Sequence, residues 1–316
     1  MSTNSLLNNT QPHIPVMLET VMDNLLFDFE AKILDCTFGA GGYSKAILNK
    51  GFKLTALDQD PIAKQYSESL SAQYKDKFHF LNGNFSDIGA QLAQNNESFD
   101  AIIMDLGVST MQLNMSHRGF SFNEDGPLDM RMGNHGITAQ EVINNLPEEE
   151  IANIIFKYGD EGYSRKIARK IVIEREIEPI VNTLRLAEIV RKAIGRTRYK
   201  KIDSATKTFQ AIRIYVNDEL NSLTRFLNHS RQLLNISGLI ITISFHALED
   251  KIVKSFFINN AQKRIARSKY AKNTEEEQND KWMKVITKKP LIPSAKEILT
   301  NPSSRSAKMR IAMKII

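Results

Sequence analysis

The sequence predicts an α/β fold: a seven-stranded, mostly parallel sheet that an all-helical block interrupts. Three observations lead to this prediction. Roughly the first hundred residues alternate short apolar runs with helical periods, about the next hundred show helical periods alone, and strand-like runs return in the last third. Continuous apolar runs are typical of parallel strands, because both faces of such a sheet are covered. We therefore expect four strands, a helical insertion and three more strands.

The first four strands are expected at short apolar runs. They read "KILDCTF", "KLTALD", "FHFLNGNF" and "FDAIIMDLG". A glycine loop follows the first run, a helix begins at Pro61 after the second, and another begins near Ser86 after the third. After Gly107 this alternation stops.

The middle of the chain is expected to be helical. A loop rich in Gly, Asp and Asn leads into it, from Asn114 to Gly133. Helical periodicity then covers Thr138–Asn145, Glu148–Phe156, Ser164–Ile177, Leu184–Ala193 and a long stretch from Ala205 to about Asn235. The last three strands are expected at "LIITISFH", "WMKVITKK" and "AKMRIAMKII". The sequence thus predicts a sheet domain in two parts, residues 1–112 and 218–316, around a helical insertion at residues 113–217.

Composition limits the classes of protein to consider. The 316 residues are 42% hydrophobic and 25% charged, as in ordinary globular proteins, and no apolar run approaches the roughly 18 residues of a membrane span. The N-terminal residues have no signal-peptide pattern. Cys36 is the single cysteine, which excludes an internal disulfide and fits a reducing cytoplasm. The six histidines lack metal-ligand spacing, so we expect neither a metal nor a membrane partner.

The net charge is +6, and two segments concentrate the cations. Arg191–Lys201 has six Lys or Arg residues, Lys263–Lys272 has five, and neither segment has an acid. Each can be a solvated surface, but the tyrosine within each run favours a polyanionic partner such as RNA. The candidate RNA contacts are Arg196, Arg198, Lys200 and Lys201.

The loop after the first strand reads "DCTFGAGGYS" and suggests a cofactor. A dinucleotide fingerprint needs a third glycine where this chain has Ser44, which disfavours a nicotinamide-dependent oxidoreductase. An acid, Asp35, four residues before Gly39 suits S-adenosylmethionine better, because the acid can face the cationic end of that ligand. Glycine allows the close backbone approach.

Acids and an aromatic residue follow the next strands. Asp58 ends the second strand, where a carboxylate can accept hydrogen bonds from ribose hydroxyls, whereas Asp60 before Pro61 is expected to be a helix cap. Phe85 after the third strand either covers adenine or belongs to the core. Asp105 directly follows an apolar run, and because buried acids are rare without a partner or ligand, it is expected to be functional.

Motifs along nearly the whole chain resemble the bacterial MraW/RsmH family. They are "HIPVMLET", "FGAGGYS", "LDQDP", "DLGVSTMQL", "RGFSFNEDGPLDMRM", "TFQAIRIYVNDEL", "SFHALED" and "NPSSRSAKMR". The resemblance implies a class I, Rossmann-like S-adenosylmethionine methyltransferase fold. It further implies methylation of a cytosine N4 amino group in 16S ribosomal RNA, at cytosine 1402 of the decoding centre, with a small ribosomal subunit or its precursor as partner.

Carried over by position, the resemblance implies one set of cofactor contacts. They are Gly41, Gly42, Tyr43, Asp58, Phe85, Asp105 and Gln112. Two positions depart from the family pattern, because Tyr43 stands where His is usual and Ala247 stands where Ser is common. Tyrosine can still donate a hydrogen bond, but Ala247 leaves any role of that hydroxyl in doubt.

For catalysis, an acceptor must face the N4 hydrogens of cytosine. Asp105, with the backbone carbonyls of Leu106 and Gly107, is the candidate. Phe120 and Phe122 in the insertion loop are either base-stacking platforms or loop anchors. Further side chains of uncertain role are His13 and His246, as site-lining residues, and Arg118, Asp125, Asp129 and Arg131, as partners in internal ion pairs. The alternative functional interpretation of the sequence is a non-catalytic RNA-binding protein on the same scaffold.

Overall fold

The computed structural model describes residues 15–195, 203–262 and 281–316. This part of the chain divides into two compact units. One unit runs up to Gly107 and resumes from Ser222 to the last residue, and the other is Val108–Asn221. The divisions lie a few residues away from the expected ones, after residues 112 and 217.

The first unit contains a seven-stranded sheet. Its strands are β1 (Lys32–Asp35), β2 (Lys53–Asp58), β3 (Phe78–Asn82), β4 (Phe99–Asp105), β5 (Leu234–Ser244), β6 (Met283–Val285) and β7 (Lys308–Lys314). They lie side by side in the order β3-β2-β1-β4-β5-β7-β6. The first five strands pair in parallel, and β7 is antiparallel to both β5 and β6. This mixed sheet confirms the predicted class I methyltransferase fold.

Helices cover both faces of the sheet or form the second unit. In chain order they are α1 (Leu18–Asn24), α2 (Gly42–Asn49), α3 (Pro61–Tyr74), α4 (Phe85–Gln94), α5 (Thr110–Asn114), α6 (Ala139–Asn145), α7 (Glu148–Gly159), α8 (Ser164–Ile177), α9 (Thr183–Ile194), α10 (Thr206–Val216), α11 (Glu219–Leu233), α12 (Ala247–Asn260) and α13 (Ala295–Thr300). None of the described helices is both long enough and apolar enough to cross a bilayer.

Two apolar layers hold the sheet, because successive residues of a buried strand point to opposite faces. Ile33 packs in the layer that includes residues of α1, α2 and α3, such as Val21 and Ile47. Leu34 packs in the opposite layer, with residues of α4, α11 and α12, such as Phe226. The continuous apolar strands predicted from the sequence thus reflect a sheet covered on both sides.

The second unit contains α5 to α10 around its own apolar core. The long helical stretch expected from Ala205 is two helices, because α10 ends before Asn217 and Asp218 has a left-handed φ of 48°. The Asn217 side chain donates to the Met130 carbonyl and accepts from the Met132 amide, both at 2.7 Å. The break therefore serves a contact with the loop before α6, which helical periodicity alone does not reveal.

Candidate active site

The candidate site lies at the carboxyl edge of the sheet in the first unit. Three acids, Asp35, Asp58 and Asp105, are the last residues of β1, β2 and β4. β1 lies between β2 and β4, so the order of the strands reverses at β1: β2 and β3 lie on one side, and β4 and β5 lie on the other. In open α/β sheets, ligands bind in the crevice outside the carboxyl ends of the strands at such a point.

Asp35 is fully buried and is held by two groups of its own loop. The Ser44 hydroxyl donates to Oδ2 at 2.8 Å, and the Thr37 amide donates to Oδ1 at 3.1 Å. Burial raises the pKa of Asp35 to about 6, although both hydrogen bonds act to lower it. Both oxygens of Asp35 thus have partners in its own loop, and a place facing the cationic end of a ligand stays a prediction.

Two of the three glycines of the loop, Gly41 and Gly42, occupy their positions for different structural reasons. Gly41 is the residue before α2 and has a left-handed φ of 79°, which glycine adopts without strain. Gly42 packs against Pro15: a Cβ atom at position 42 would lie 2.3 Å from Pro15 Cγ. Any side chain at either position would thus disturb the loop predicted to hold the cofactor.

Tyr43 is buried, with 4% of its surface exposed, and its hydroxyl donates to the Val16 carbonyl. Burial raises the pKa of Tyr43 well above its usual range, and the negative charge of Asp105 adds to this effect. The hydroxyl predicted to contact the cofactor thus ties the loop to the chain segment at Val16.

Asp58 fixes the glycine loop and remains partly exposed. Its Oδ2 accepts from the Gly39 amide at 2.7 Å, and its Oδ1 accepts from the Asp60 amide at 2.8 Å. Burial raises the pKa of Asp58 to about 6, against the lowering effect of these two amides. Each carboxylate oxygen keeps a second lone pair, so ribose hydroxyls can still be accepted. Asp60 accepts from the Ile62 amide at 3.0 Å, which confirms its predicted role as the cap of α3.

The carboxyl group of Asp105 differs in its hydrogen bonding from those of Asp35 and Asp58. Its Oδ1 is buried and accepts no hydrogen bond from the part of the chain that the structure describes. Its backbone amide donates to Thr37 Oγ1 at 2.8 Å, which joins the ends of β1 and β4. Burial raises the pKa of Asp105 well above its usual range, the charges of Asp35 and Glu249 raise it further, and a contact with Tyr43 lowers it. A buried acceptor without a partner is costly unless a ligand completes it.

Phe85 begins α4 after β3 and is half-buried. Its ring meets Phe226 edge to face, with 5.6 Å between centroids. Asn84 caps the helix by accepting from the Ser86 amide at 2.9 Å. This half-buried ring belongs to the core along one edge, so both the adenine-covering and core interpretations of Phe85 fit its position.

The other predicted site residues belong to the second unit. Gln112 is buried and accepts from the Ser109 amide at 3.0 Å, as part of the cap of α5. Phe120 is only 7% exposed and lies in the core of this unit, which disfavours it as a base-stacking platform. Phe122 is half-buried, meets Phe209 edge to face at 4.7 Å, and lies 5.6 Å from the Arg191 guanidinium. Loop anchoring thus explains Phe120, whereas Phe122 keeps an accessible part.

Internal contacts also fold the loop that contains these two aromatic residues. Arg131 and Asp129 form an ion pair at 2.7 Å, and Arg118 donates to the carbonyls of Arg131 and Met132 at 2.9 and 3.0 Å. Asp125 accepts from the Leu184 amide at 3.4 Å. The structural interpretation of these charged residues is confirmed for the Asp129–Arg131 pair.

Several predicted residues lie outside the described part of the chain. They are His13, the four candidate RNA contacts Arg196, Arg198, Lys200 and Lys201, and all of Lys263–Lys272.

The sequence reasoning missed three residues that support the site: Thr37, Ser44 and Glu249. Glu249 is 2% exposed, and its Oε2 accepts from the Phe245 and His246 amides at 2.8 and 3.3 Å. His246 caps α12 in return, and Ala247 is exposed in the first turn, so the cap does not need a hydroxyl at position 247. The spacing of His246 and Glu249 was the available signal, since a capping residue and an acid three positions later form a capping box.

The site residues fit S-adenosylmethionine. Asp58 offers acceptors for a ribose at the end of β2, Phe85 offers a half-buried ring, and Asp105 offers an unpaired acceptor at the end of β4. A positive charge beside a buried carboxyl group favours the ionised form, and the sulfonium of this cofactor carries such a charge.

Comparison with known proteins identifies the family. Residues 10–315 match the model of the MraW methylase family. A protein from Rickettsia bellii named ribosomal RNA small subunit methyltransferase H is 52% identical over 306 residues, which is 96% of this chain and 99% of the relative. A protein of the same name from Rickettsia prowazekii is 51% identical over 97% of this chain and 100% of its own length. The solved structure of an rRNA methylase from Streptococcus thermophilus covers 92% of this chain and 90% of its own, at 10% identity and a TM-score of 0.38, a similarity too low to bear on function. The chain therefore belongs to the MraW methylase family and is an S-adenosylmethionine-dependent methyltransferase, as its sequence predicted.

Proposed function

We propose that this protein methylates the N4 amino group of a cytosine in 16S ribosomal RNA, at cytosine 1402 of the decoding centre, in the cytoplasm. The relatives that match almost the whole chain are named as methyltransferases of small-subunit ribosomal RNA. We further propose a small ribosomal subunit or its precursor as the substrate, without a metal ion. One observation supports the choice of an amino group as methyl acceptor: the buried Oδ1 of Asp105 has no hydrogen-bond partner among the described residues.

The N4 amino group of cytosine is a weak nucleophile, because its lone pair is delocalised into the ring. S-adenosylmethionine, when bound, supplies an electrophilic methyl group on a positively charged sulfur. A carboxylate that accepts a hydrogen bond from an N4 hydrogen favours a pyramidal nitrogen with a more available lone pair. Asp105 can provide this acceptor, with the carbonyls of Leu106 and Gly107 as further candidates.

Asp105 must be ionised to take up the proton, and the carboxylate is also the stronger hydrogen-bond acceptor. Its raised pKa disfavours ionisation in the free protein, whereas a positive charge bound nearby favours the carboxylate. Transfer of the methyl group leaves an extra proton on the nitrogen, and a carboxylate of raised pKa is a better proton acceptor than an exposed one. The same carboxyl group can thus first align the amino group and then remove its proton.

The positions of neighbouring groups support this role. Thr37 Oγ1 accepts from the Asp105 amide, and the Tyr43 side chain lies beside the carboxyl group. Because β1 and β4 are paired strands, this contact holds Asp105 on a rigid element, as catalytic positioning requires. A nicotinamide-dependent reaction is disfavoured, since Ser44 is needed as the partner of Asp35 and occupies the place of the third fingerprint glycine.

Single-turnover methyl transfer at saturating S-adenosylmethionine tests the proposal. Asp105→Asn and Asp105→Ala are expected to slow transfer to 16S ribosomal RNA by about 10²- to 10⁴-fold, the usual range for loss of a general base. Asp76→Asn removes an exposed acid of the same unit and is expected to keep the wild-type rate. A rate within tenfold of wild type in both Asp105 variants would contradict the proposed role. Methyl transfer by the wild type, slowed in the Asp105 variants, also separates an enzyme from a non-catalytic RNA-binding protein.

A further inference from the structure

The first half of α8 presents a cluster of cations on its exposed face. Four cations occupy its first seven residues: Arg165, Lys166, Arg169 and Lys170. At about 100° per residue they fall within one arc of the helix. The residues on the opposite side are buried in the second unit: Ser164, Ile167, Ala168 and Ile171. The packing of α8 thus turns these four side chains away from the core.

Three of these cations have no acidic partner within residues 15–195, 203–262 and 281–316. Lys170 pairs with Glu174 at 2.8 Å. Arg165, Lys166 and Arg169 are exposed and form no ion pair with any residue in the described ranges. The neighbouring helix α9 differs, because its Arg185 pairs with Glu174 and its Lys192 pairs with Glu188. The salt-bridged cations Lys170, Arg185 and Lys192 can thus serve as controls for the cluster on α8.

The arrangement of charge in α8 opposes the stability of the helix. Arg165 and Lys166 occupy the first turn, which has no acid, although the positive end of the helix dipole favours anions there. Arg165 and Arg169 are four residues apart, where like charges repel. Acids instead gather towards the other end, at Glu176 and Glu178. Folding alone does not account for this pattern.

A bound anion would reverse each of these unfavourable terms. A bound phosphate offsets the repulsion between Arg165 and Arg169. The helix dipole, which disfavours cations at this end of α8, favours the negative charge of the phosphate. Arginine holds phosphate oxygens through two parallel N–H groups. Tyr163, just before α8, is 47% exposed and adds an aromatic surface of the kind on which single-stranded bases stack.

We propose that the exposed α8 face formed by Arg165, Lys166 and Arg169 binds phosphates of the RNA substrate. The proposal rests on the proposed function, since it takes the substrate to be RNA, and it adds a contact surface that is separate from the basic segment at residues 196–201. The phosphates supply the charge complementarity that the three cations lack within the described chain. This face is expected to contribute affinity rather than choice of nucleotide, because backbone contacts do not read sequence.

Salt-dependent binding of a 16S ribosomal RNA transcript tests the surface. The triple variant Arg165→Gln, Lys166→Gln, Arg169→Gln is expected to bind about 10- to 100-fold more weakly at 0.1 M salt. The slope of log affinity against log salt is expected to fall by about 2, since each phosphate contact to a single strand contributes about 0.7. The control Lys170→Gln, Arg185→Gln, Lys192→Gln removes three paired cations from the same unit and is expected to change affinity less than threefold. Equal losses in both triple variants, or no loss in the first, would overturn the proposal.

Thermal unfolding separates binding from structure. The first triple variant is expected to unfold at the same or a higher temperature, because it removes charges that oppose the helix dipole. A lower unfolding temperature would show that the cations support the fold, which contradicts the proposal. Loss of binding to phosphatidylglycerol vesicles with unchanged RNA affinity would also contradict it. If the wild type binds RNA but transfers no methyl group, the proposed function fails, whereas the comparison of salt slopes still decides the role of this face.

Discussion

Ser44 and Asp35 form a buried pair in which the serine hydroxyl donates to the carboxylate at 2.8 Å. Ser44 lies in α2 and Asp35 ends β1, so the bond joins the helix to the strand across the glycine loop. In a dinucleotide-binding loop a glycine at this place lets helix and strand pack closely. In this chain Ser44 connects the helix to the strand through its hydrogen bond to the buried Asp35. This contact explains why the third glycine of the fingerprint is absent.

Ser44→Ala is expected to destabilise the protein, and more at pH 8 than at pH 5. The folded-state pKa of Asp35, about 6, lies above its ordinary value of 3.8. The folded state therefore binds more protons than the unfolded state between about pH 4 and pH 6, and the contribution of Asp35 to stability falls as pH rises through that window. Loss of Ser44 raises this pKa further. We expect a loss of about 1.5–3 kcal/mol at pH 8, as for a bond to a charged group, and about 1 kcal/mol at pH 5.

Urea unfolding at the two pH values measures this difference. Ser67→Ala is the control, since Ser67 is also a buried helical serine but its hydroxyl donates to the Lys64 carbonyl of its own helix. An equal loss at both pH values in Ser44→Ala would mean that the bond does not depend on the charge of Asp35.

The sequence predicted the sheet well because its signals are local. Each central strand is a continuous apolar run, and the helical block has a different period. Strand β6 was harder, because only Met283–Val285 pair within a longer run of mixed character. The break at Asn217 was missed because its cause is a contact with Met130 and Met132, far away in the sequence.

Asp58→Ala and Asp60→Ala are expected to separate cofactor binding from helix capping. Loss of Asp58 should weaken S-adenosylmethionine binding by about 1.5–3 kcal/mol, the scale of hydrogen bonds to a charged group. It should also lower the free energy of unfolding, because the Gly39 amide loses its acceptor. Loss of Asp60 should cost about 1 kcal/mol of stability through the lost cap and change cofactor affinity less than threefold. Calorimetric titration that shows equal affinities for Asp58→Ala and wild type would refute the ribose assignment.

Tyr43→Phe is expected to reduce stability rather than cofactor affinity. The variant keeps the buried ring but leaves the Val16 carbonyl without its donor, which should cost about 1 kcal/mol in urea unfolding. S-adenosylmethionine affinity should stay within threefold. Tyr43→His introduces the residue that the family resemblance implies at this position, and it tests whether a shorter donor can replace the hydroxyl. A tenfold loss of affinity in Tyr43→Phe at unchanged stability would instead support a direct cofactor contact.

Phe120→Ala and Phe122→Ala are expected to act in different ways. Phe120 lies in the core, so its truncation should cost about 3–5 kcal/mol of stability. Phe122 is half-buried, and its truncation should cost less stability while weakening RNA binding by about 1–3 kcal/mol if a base stacks on its ring. Thermal unfolding and RNA titration of both variants measure the two effects. Unchanged RNA affinity in a folded Phe122→Ala protein would assign this ring to loop anchoring alone.

The positions of Asp58 and Asp105 could be predicted, because in each case an acid coincides with the end of an apolar strand. It was less predictable where the partner is distant in sequence. The pairing of Tyr43 with Val16 and the burial of Phe120 depend on packing, which motif spacing does not reveal. The packing of Gly42 against Pro15 likewise has no signal in the motif spacing.

Nucleoside mass spectrometry of 16S ribosomal RNA, after incubation with the enzyme and methyl-labelled S-adenosylmethionine, tests the central claim most directly. We expect the label in N4-methylcytidine, at one position in the fragment that contains the decoding centre, and incorporation by Asp105→Ala that is at least about 100-fold slower. Label on a ribose or on a ring carbon, or equal labelling by wild type and Asp105→Ala, would contradict it.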